Sequence, residues 1–323
     1  MLVEFLIVAV GFIIVVLLSN VVIKNSIQIA THYGLSGTFI GLTILSIGTS
    51  IPEIVTHIIG SIQIVKNPAL MGTMSNLLIG ANIGSDIFQQ NFVLAIVGLF
   101  GAVVVIRKNL NLQVGALIAA AILVWLFALS GFISRVEGGL LVLAYVAYLI
   151  YLKKNKLGED IEASNHLSKK NIVLAISLIL FSFVIIGFAT HEVLNASTIL
   201  VASLPISASF FGVILLGIAS ALPELTTSLI ALFKGKKDIS AGILIGSNVT
   251  NPLFGIGIGA LISGYSVANV VTFFDLPVKI ATAFMIYYFL WRNKELNKWE
   301  SVVLIILYLA FIYFRQVYFP VDF

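Results

Sequence analysis

Residues 48–53 read GTSIPE and residues 218–224 read IASALPE, so a Pro-Glu pair recurs inside two long apolar stretches of the chain. The two glutamates, Glu53 and Glu224, lie 171 positions apart. A carboxylate in the hydrocarbon of a bilayer costs at least ~2.5–3.5 kcal/mol and is by default a functional group. Because this cost is incurred twice, at matching places, the pattern predicts a paired ion site built from an internal repeat.

A second polar group follows each Pro-Glu pair. Residues 84–86 read GSD in the first half, and residues 246–248 read GSN in the second. Asp86 and Asn248 are 162 positions apart, so the spacing of the repeat is nearly the same for both groups. The repeat therefore covers two neighbouring segments in each half, and it predicts that four segments meet at one site.

The composition is that of a polytopic membrane protein. The 323 residues are 60% hydrophobic and 10% charged, with a mean hydropathy of +1.12, whereas soluble domains carry about 25% charged residues. The chain has no cysteine, which excludes disulfide and thiolate chemistry. No G-x-x-x-x-G-K-[ST] run is present, so no nucleotide partner is expected. The net charge of +4 is explained by lysines in cytoplasmic loops, and no nucleic-acid partner is expected.

The hydropathy pattern predicts an all-α membrane protein with ten transmembrane helices, since a span needs about 20 mostly apolar residues. The second, third, seventh and eighth spans are long and carry glycine, proline and polar residues, and the others are plainer. The predicted spans are residues 2–24, 35–65, 69–105, 112–132, 136–152, 171–190, 206–233, 239–267, 273–291 and 299–318.

The spans divide into two halves of five. Residues 1–152 form the first five-helix repeat, residues 153–170 a charged cytoplasmic linker loop, and residues 171–323 the second repeat. Because five is odd, the second half must enter the membrane in the opposite orientation. The sequence therefore predicts an inverted-topology repeat of one integral domain.

Basic residues are distributed unevenly between the two sides of this arrangement. Fourteen of the 18 Lys and Arg residues fall on one side, which the positive-inside rule makes cytoplasmic. Both termini are then extracellular, and the protein is predicted to be a multi-pass protein of the cell membrane. The four basic residues on the other side are Lys66, Arg135, Lys279 and Arg315.

The two Pro-Glu segments predict broken helices in spans 2 and 7. Proline removes a backbone donor and clashes with the preceding turn, which frees carbonyl oxygens. Such backbone is tolerated in a membrane only where it is buried in protein or lines a cavity. Each segment also supplies one carboxylate. The first segment adds the hydroxyls of Thr49 and Ser50, and the second adds the hydroxyl of Ser220. This all-oxygen set suits a hard cation such as calcium.

The pattern G-T-S-[LI]-P-E followed by G-x-x-x-G-S-[ND] resembles the alpha repeats of the sodium/calcium exchanger family, in the calcium/cation antiporter superfamily. The resemblance covers the whole chain, including a short central loop as in prokaryotic members. It implies a secondary-active antiporter, not an enzyme, that exchanges sodium for calcium by alternating access. Calcium and sodium would be its transported ions and the lipid bilayer its surroundings. No cofactor is implied, and a monomer is compatible with the pattern.

The resemblance also implies the roles of individual residues. Glu53 and Glu224 would be the carboxylate ligands of a central calcium ion, aided by the backbone carbonyls of Thr49 and Ser220. The other implied ligands are the carbonyls near Ser46 and Gly217 and the side chains of Ser50 and Asn82 for sodium, with Asp86 and Asn248 at the middle level between the glutamates.

The second half departs from the family pattern at two places. Ala221 lacks the hydroxyl that is expected of a sodium ligand, and Leu244 stands where the first half has Asn82. The number and geometry of the sodium sites therefore stay open, while both calcium carboxylates are retained. Potassium as a co-substrate, held by an added carboxylate such as Asp86, also stays open.

Alternatives remain at this point. A calcium/proton antiporter would use the same glutamates as proton carriers, and the missing sodium ligands together with His57 favour it. His57 lies one helical turn after Glu53 and either modulates that carboxylate or forms a hydrogen bond between helices. A cation channel is disfavoured, because carboxylates in the middle of broken helices suit an occluded site better than a continuous pore.

Overall fold

The computed structural model of the chain is almost entirely helical. Grouped by span, its helices form ten elements, α1 to α10. The predicted residues 35–44 of span 2 and residues 155–166 of the linker lie outside the described part of the chain. The structure describes residues 1–33, 45–101, 103–104, 107–154, 167–233, 237–293, 295–320 and 322.

The first half contains five elements, with a 3₁₀ turn at Pro68–Leu70. They are α1 (Leu2–His32), α2 (Ser46–Thr49 and Ile51–Lys66), α3 (Met71–Phe88, the π-helical Gln89–Val93 and Leu94–Gly101), α4 (Arg107–Ala128) and α5 (Arg135–Lys154).

The second half also contains five elements, several of which include a π-helical turn. They are α6 (Lys169–Ser203), α7 (Ala208–Phe211, the π-helical Gly212–Leu216, Gly217–Ser220 and Leu222–Phe233), α8 (Lys237–Thr250, the π-helical Asn251–Ile256 and Gly257–Ser263), α9 (the π-helical Val271–Asp275 and Leu276–Asn293) and α10 (Lys298–Tyr318).

Nine stretches of the described residues are long and apolar enough to cross a membrane. They coincide with α1 and with α3 to α10, and α2 is the element outside this set. The sixth span differs most from its predicted bounds, because α6 continues to Ser203 instead of ending near residue 190. Its last two turns carry no glycine or proline, and Pro205 is the next residue that disfavours a helix.

α2 and α7 are each interrupted by one residue just before their Pro-Glu pair. Ser50 has φ −79° and ψ 5°, and Ala221 has φ −82° and ψ 0°. Proline cannot donate to the carbonyl four residues earlier, which loosens the turn at this place. The helix then resumes at once, since Ile54 donates its backbone N–H to the Ser50 carbonyl and Leu225 donates to the Ala221 carbonyl. Each interruption is therefore local.

Glycines let α3 and α7 pack with their backbones in contact. A β-carbon on Gly84 would lie 2.1 Å from the carbonyl oxygen of Val213, and one on Gly217 would lie 2.7 Å from the backbone nitrogen of Ser85. Small residues allow this close approach between helices in a membrane. The contact brings the GSD segment of α3 beside the interruption of α7.

Two short antiparallel β pairs join connections that are distant in sequence. Val103–Val104 (β1), after α3, pairs with Glu295–Leu296, between α9 and α10. Phe132–Ile133 (β2), after α4, pairs with Tyr265–Ser266 (β3), between α8 and α9. Because α4 separates β1 from β2, the two pairs lie at opposite ends of that helix.

The helices differ in how deeply they lie in the protein. In α8, 89% of the most apolar stretch is buried, whereas in α6 the fraction is 17%. α6 packs along α1 and against α2, and it exposes apolar side chains such as Phe181 and Phe188. The segments that carry the predicted site are therefore central, and α6 has the apolar outer surface expected next to lipid.

Candidate ion-binding site

The two glutamates lie at equivalent positions in α2 and α7, in the first turn after each interruption. Both side chains are buried, with exposed fractions of 3% for Glu53 and 0% for Glu224. Each follows a proline that is the second residue of the resumed helix, so the interruption sets the position of the carboxylate. The shared pattern continues one turn later, where the hydroxyls of Thr56 and Thr227 donate to the Pro52 and Pro223 carbonyls at 2.6 Å.

The carboxylates are only partly satisfied by hydrogen bonds. Ser85 donates to one oxygen of Glu53 at 2.8 Å, and the other oxygen has no partner among the described residues. Neither oxygen of Glu224 has a regular hydrogen bond in the described part of the chain. The Ser220 hydroxyl neighbours Glu53 and the Thr49 hydroxyl neighbours Glu224, so each interrupted helix places a hydroxyl beside the carboxylate of the other.

Other buried oxygens near the glutamates also lack donors. Within the described residues these include the hydroxyl oxygen of Ser50 and the side-chain carbonyl oxygens of Asn82, Asn248 and Asn251. Buried polar atoms are nearly always satisfied, and unpaired ones require an explanation such as a bound ion. Since the unpaired atoms include carboxylate, hydroxyl and amide oxygens, the arrangement suits a cation that prefers oxygen ligands.

The carbonyl oxygens predicted for sodium are already engaged in the structure. The Thr49 hydroxyl donates to the Ser46 carbonyl at 3.3 Å, and the Ser220 hydroxyl donates to the Gly217 carbonyl at 3.2 Å. The Ser46 hydroxyl in turn lies 3.0 Å from that of Thr250 in α8. Each carbonyl also accepts a backbone N–H, from Ser50 at 3.1 Å and from Ala221 at 3.2 Å, so an ion at either carbonyl would have to turn the hydroxyl away.

Asp86 and Asn248 are held by a crossed pair of amide contacts between α3 and α8. Asn251 donates to one carboxylate oxygen of Asp86 at 2.8 Å, and Asn248 donates to the side-chain oxygen of Gln89 at 3.2 Å. Gln89 also accepts from Ser247 at 2.5 Å. Gln89 and Asn251 are themselves 162 positions apart, so the crossed contacts follow the sequence repeat.

The structure adds Lys279 to the site. Lys279 is fully buried in α9, and its ammonium contacts the second carboxylate oxygen of Asp86. Both oxygens of Asp86 are thus engaged, which differs from the predicted ion contact at this residue. The sequence interpretation had placed Lys279 among the extracellular charges. The position of Lys279 within a predicted span could have indicated its burial, because charged residues in membrane spans usually face a partner inside the protein.

Arg315 was also assigned to the extracellular side and is instead buried in α10. Its guanidinium lies 3.2 Å from the Asp275 carboxylate of α9 and donates to the Ser209 hydroxyl of α7 at 2.5 Å. The face of Phe210 lies against it, with 5.6 Å between the Arg315 guanidinium carbon and the ring centre. This ion pair joins three helices away from the glutamates, and it accounts for the intramembrane charge structurally.

His57 is a buried link between helices. Its Nδ1 lies 2.9 Å from the Tyr265 hydroxyl, and Asn82 Nδ2 lies 3.0 Å from its Nε2. Asn82 also donates to the Asn251 carbonyl at 3.0 Å, and the Tyr265 hydroxyl contacts Ser61 at 2.7 Å. Of the two sequence interpretations, the geometry favours the interhelical hydrogen bond. The link orients the amide of Asn82, whose oxygen stays unpaired.

A cavity opens beside Glu53 and reaches between the helices of both halves. It touches Ser220 as well as Glu53, so it connects the two interrupted segments. The other residues that line it are Phe12, Thr56, His57, Leu78, Ala81, Asn82, Val193, Leu194 and Leu216.

No three His, Asp or Glu side chains converge tightly enough, within the described ranges, to hold one ion together. An ion between Glu53 and Glu224 must therefore complete its shell with hydroxyl, amide and backbone oxygens. The structure buries every residue that the sequence analysis proposed as a ligand, in α2, α3, α7 and α8. These are Ser46, Thr49, Ser50, Glu53, Asn82, Asp86, Gly217, Ser220, Glu224 and Asn248.

Comparisons with known proteins identify the family of the chain. A sequence model described as sodium/calcium exchanger protein matches residues 3–154 and 174–317. The sodium/calcium exchanger MaX1 of Methanosarcina acetivorans is 27% identical over 350 residues, covering 96% of this chain and 97% of that protein. The putative antiporter CaxA of Alkalimonas amylolytica is 26% identical and covers 99% of both chains.

A solved structure shares the fold. The sodium-calcium exchanger NCX_Mj, soaked with sodium and strontium, superposes with a TM-score of 0.68 at 23% identity, over 96% of this chain and 97% of that chain. Because the family match spans both halves, the chain belongs to the sodium/calcium exchanger family, whose members are multi-pass membrane cation antiporters and not enzymes.

Proposed function

We propose that this protein exchanges sodium for calcium across the cell membrane by alternating access. The observation that carries the proposal is the pair of buried carboxylates, Glu53 and Glu224, whose free oxygens come from equivalent turns of α2 and α7. Within the described residues no cationic side chain pairs with either glutamate, so two buried negative charges there require compensation by something else. One calcium ion or several monovalent cations supply it.

Calcium would bind between the glutamates. Its remaining ligands would be the backbone carbonyls of Thr49 and Ser220, which lie at the two interruptions, because calcium takes 6–8 oxygen ligands. Sodium would use the carbonyls of Ser46 and Gly217 and the free oxygens of Ser50 and Asn82. Asn248 adds an unpaired amide oxygen at the level between the glutamates.

Exchange follows from competition for this charge. Moving an uncompensated pair of carboxylates through a low-dielectric interior is expensive, so the empty site resists the switch between inward and outward states. Calcium and sodium each remove that barrier, but the two ions cannot occupy the same carboxylates at the same time. The carrier therefore changes orientation only when loaded, which makes exchange obligatory.

The β pairs support an inverted repeat of ten helices. Val103 and Tyr265 are 162 positions apart, and Phe132 and Glu295 are 163 apart, as the repeat spacing requires. A twofold axis in the membrane plane would exchange the β1 pair at one end of α4 with the β2–β3 pair at the other. The repeats would be residues 1–152 and 171–323, joined by the loop 153–170.

The charge distribution supports the orientation. Lys279 and Arg315 are buried and so no longer count as outer charges. Lys66 and Arg135 then remain on the outer side, opposite the fourteen basic residues assigned to the cytoplasm. We place the termini outside and the linker in the cytoplasm. Both glutamates belong to one chain, so a monomer contains the whole site.

A calcium/proton antiporter is the second candidate, and one observation favours it. Ala221 and Leu244 are buried at the positions that match Ser50 and Asn82, and they bring no side-chain oxygen to the second half of the site. If too few oxygens remain for sodium, protons would neutralise the same glutamates.

Flux measurements separate the two candidates. Purified protein in liposomes is loaded with calcium, and calcium efflux is followed with an inward sodium gradient at fixed pH, then with an inward proton gradient without sodium. We expect sodium to drive the efflux. Efflux that ignores sodium and follows the proton gradient assigns the protein to proton coupling, and absence of efflux in both cases refutes antiport of calcium.

A further inference from the structure

The Asp86–Lys279 pair differs from the rest of the site in one respect: its charges are already compensated. The ammonium of Lys279 contacts one carboxylate oxygen of Asp86, and Asn251 donates to the other at 2.8 Å. Glu53 retains one free oxygen and Glu224 retains two within the described residues. The three carboxylates at the site are therefore of two kinds, since Asp86 is satisfied by the protein and the glutamates have unpaired oxygens.

Lys279 is held in place by its backbone as well as by its side chain. Gln90 of α3 donates to the Lys279 carbonyl at 2.8 Å and to the Thr282 hydroxyl at 2.5 Å. Asn91 of α3 donates to the same hydroxyl at 3.2 Å. These contacts fix the backbone of α9 against α3 next to the ion pair, which keeps the Lys279 side chain within reach of Asp86.

The pair is present in one half of the repeat only. The counterpart of Asp86 is Asn248, which carries no charge. At the repeat spacings of 162 and 163, the positions that match Lys279 hold Leu117 and Ala116. Where the carboxylate is absent the cation is absent too, as expected if the two residues form a functional unit.

The charge balance gives the unit a role. Glu53, Glu224 and Asp86 together carry three negative charges, and the ammonium of Lys279 removes one, which leaves the two that a single calcium ion neutralises. Without Lys279, Asp86 would need a monovalent cation from solution whenever the site crosses the membrane interior, because a buried carboxylate is costly unless it is paired.

We propose that Lys279 is a tethered cation that takes the place of a monovalent ion at Asp86. It makes exchange independent of potassium and leaves the two glutamates to set the transported charge. The proposal rests on the function inferred above and names a specificity-determining residue for it. Lys279 acts by neutralising Asp86 and does not contact calcium, so it is a positioning residue and not an ion ligand.

The experiment replaces the tether and supplies a free cation. Lys279→Ala removes the ammonium and leaves space, and methylammonium is the soluble probe that resembles its end. We expect Lys279→Ala to lose calcium efflux in liposomes and to regain it when methylammonium or potassium is added to both sides. Wild-type efflux should not respond to either cation. Lys279→Arg keeps the charge and serves as the conservative control.

A double variant tests the charge balance directly. Asp86→Asn with Lys279→Met removes both charges and leaves the glutamates alone. We expect it to recover efflux relative to Lys279→Ala, without any added monovalent cation. A double variant that elutes as a folded protein but stays as inactive as the single variant would overturn the proposal. So would a Lys279→Ala protein whose efflux is indifferent to methylammonium and potassium.

A binding readout keeps this test separate from the test of antiport. The melting temperature of purified Lys279→Ala should rise with methylammonium, and that of wild-type protein should not. If wild-type protein carries no calcium, the proposed antiport fails, but this shift still decides whether a monovalent cation replaces the ammonium. If the double variant does not fold, the same melting-temperature shift tests the proposal. Equal shifts of Lys279→Ala and wild type with methylammonium would refute the tethered cation.

Discussion

Ser85 of α3 donates a hydrogen bond of 2.8 Å to one carboxylate oxygen of Glu53 in α2 and leaves the other oxygen free. The contact joins the two polar segments of the first half, which are 32 positions apart. It orients the carboxylate without neutralising it, because a hydroxyl supplies a dipole and no charge. The free oxygen is thereby available to the calcium ion that we propose to bind between Glu53 and Glu224.

The sodium dependence should respond to one added hydroxyl. Ala221 is fully buried at the position that matches Ser50, whose hydroxyl oxygen is unpaired in the described structure. We expect Ala221→Ser to lower the sodium concentration that half-saturates calcium efflux, because it supplies the oxygen missing from the second half. Ala202→Ser, at an exposed position of α6, is the control and should leave the value unchanged. An unchanged value in both variants would remove Ala221 from the sodium site.

The inverted topology can be tested by labelling, since the chain has no native cysteine. Arg135 follows β2, and Lys298 follows the strand that pairs with β1, and both are exposed. We expect a membrane-impermeant maleimide to label Arg135→Cys in intact cells and Lys298→Cys only after permeabilisation. Labelling of both from the same side would contradict the proposed arrangement.

The sequence predicted the helical membrane fold and which segments carry the polar groups, since hydropathy and the duplicated Pro-Glu pattern are local signals. It did not predict the partner of Asp86. Lys279 lies 193 positions away and α9 has no motif of its own, so only the packing of α9 against α3 reveals the pair. The end of α6 was also misplaced, since the sixth span was expected to end at residue 190. In the structure the helix continues to Ser203, and the side chains of His191 and Asn195 contact Gln63 of α2.

The close contact of α3 with α7 should be sensitive to one methyl group. A β-carbon on Gly84 would lie 2.1 Å from the Val213 carbonyl oxygen, and the atoms it would meet belong to backbone, which cannot rotate aside as a side chain can. We expect Gly84→Ala to destabilise the protein by ~1–3 kcal/mol, the usual cost of overpacking. Thermal unfolding of the purified protein measures the change.

Gly115 provides the matched control for this substitution. It lies within α4, and a β-carbon there would meet nothing within 4 Å. Gly115→Ala should be neutral or should stabilise the protein by ~0.5–1 kcal/mol, because alanine favours a helix interior over glycine. Equal effects of the two substitutions would show that the α3–α7 contact is looser than described.

The buried pair of Arg315 and Asp275 should contribute to stability without a direct effect on the ion site. Removing one partner of such a pair usually costs ~3–5 kcal/mol, because the other charge stays buried and uncompensated. We therefore expect Arg315→Met to lower the melting temperature markedly, and Arg315→Met with Asp275→Asn to recover part of the loss. Arg135→Met, at an exposed site, should have little effect. A double variant less stable than the single one would contradict the pairing argument.

The central claim is that Glu53 and Glu224 hold the same calcium ion, and equilibrium binding of radioactive calcium to the purified protein tests it most directly. We expect wild-type protein and the control Glu192→Gln, which changes an exposed carboxylate of α6, to bind a single calcium ion that sodium displaces. Glu53→Gln and Glu224→Gln should each remain folded and lose this binding altogether, because each removes an anionic ligand of one shared site. Calcium binding at wild-type affinity in either neutral variant would show that the glutamate in question is not a ligand and would contradict the account.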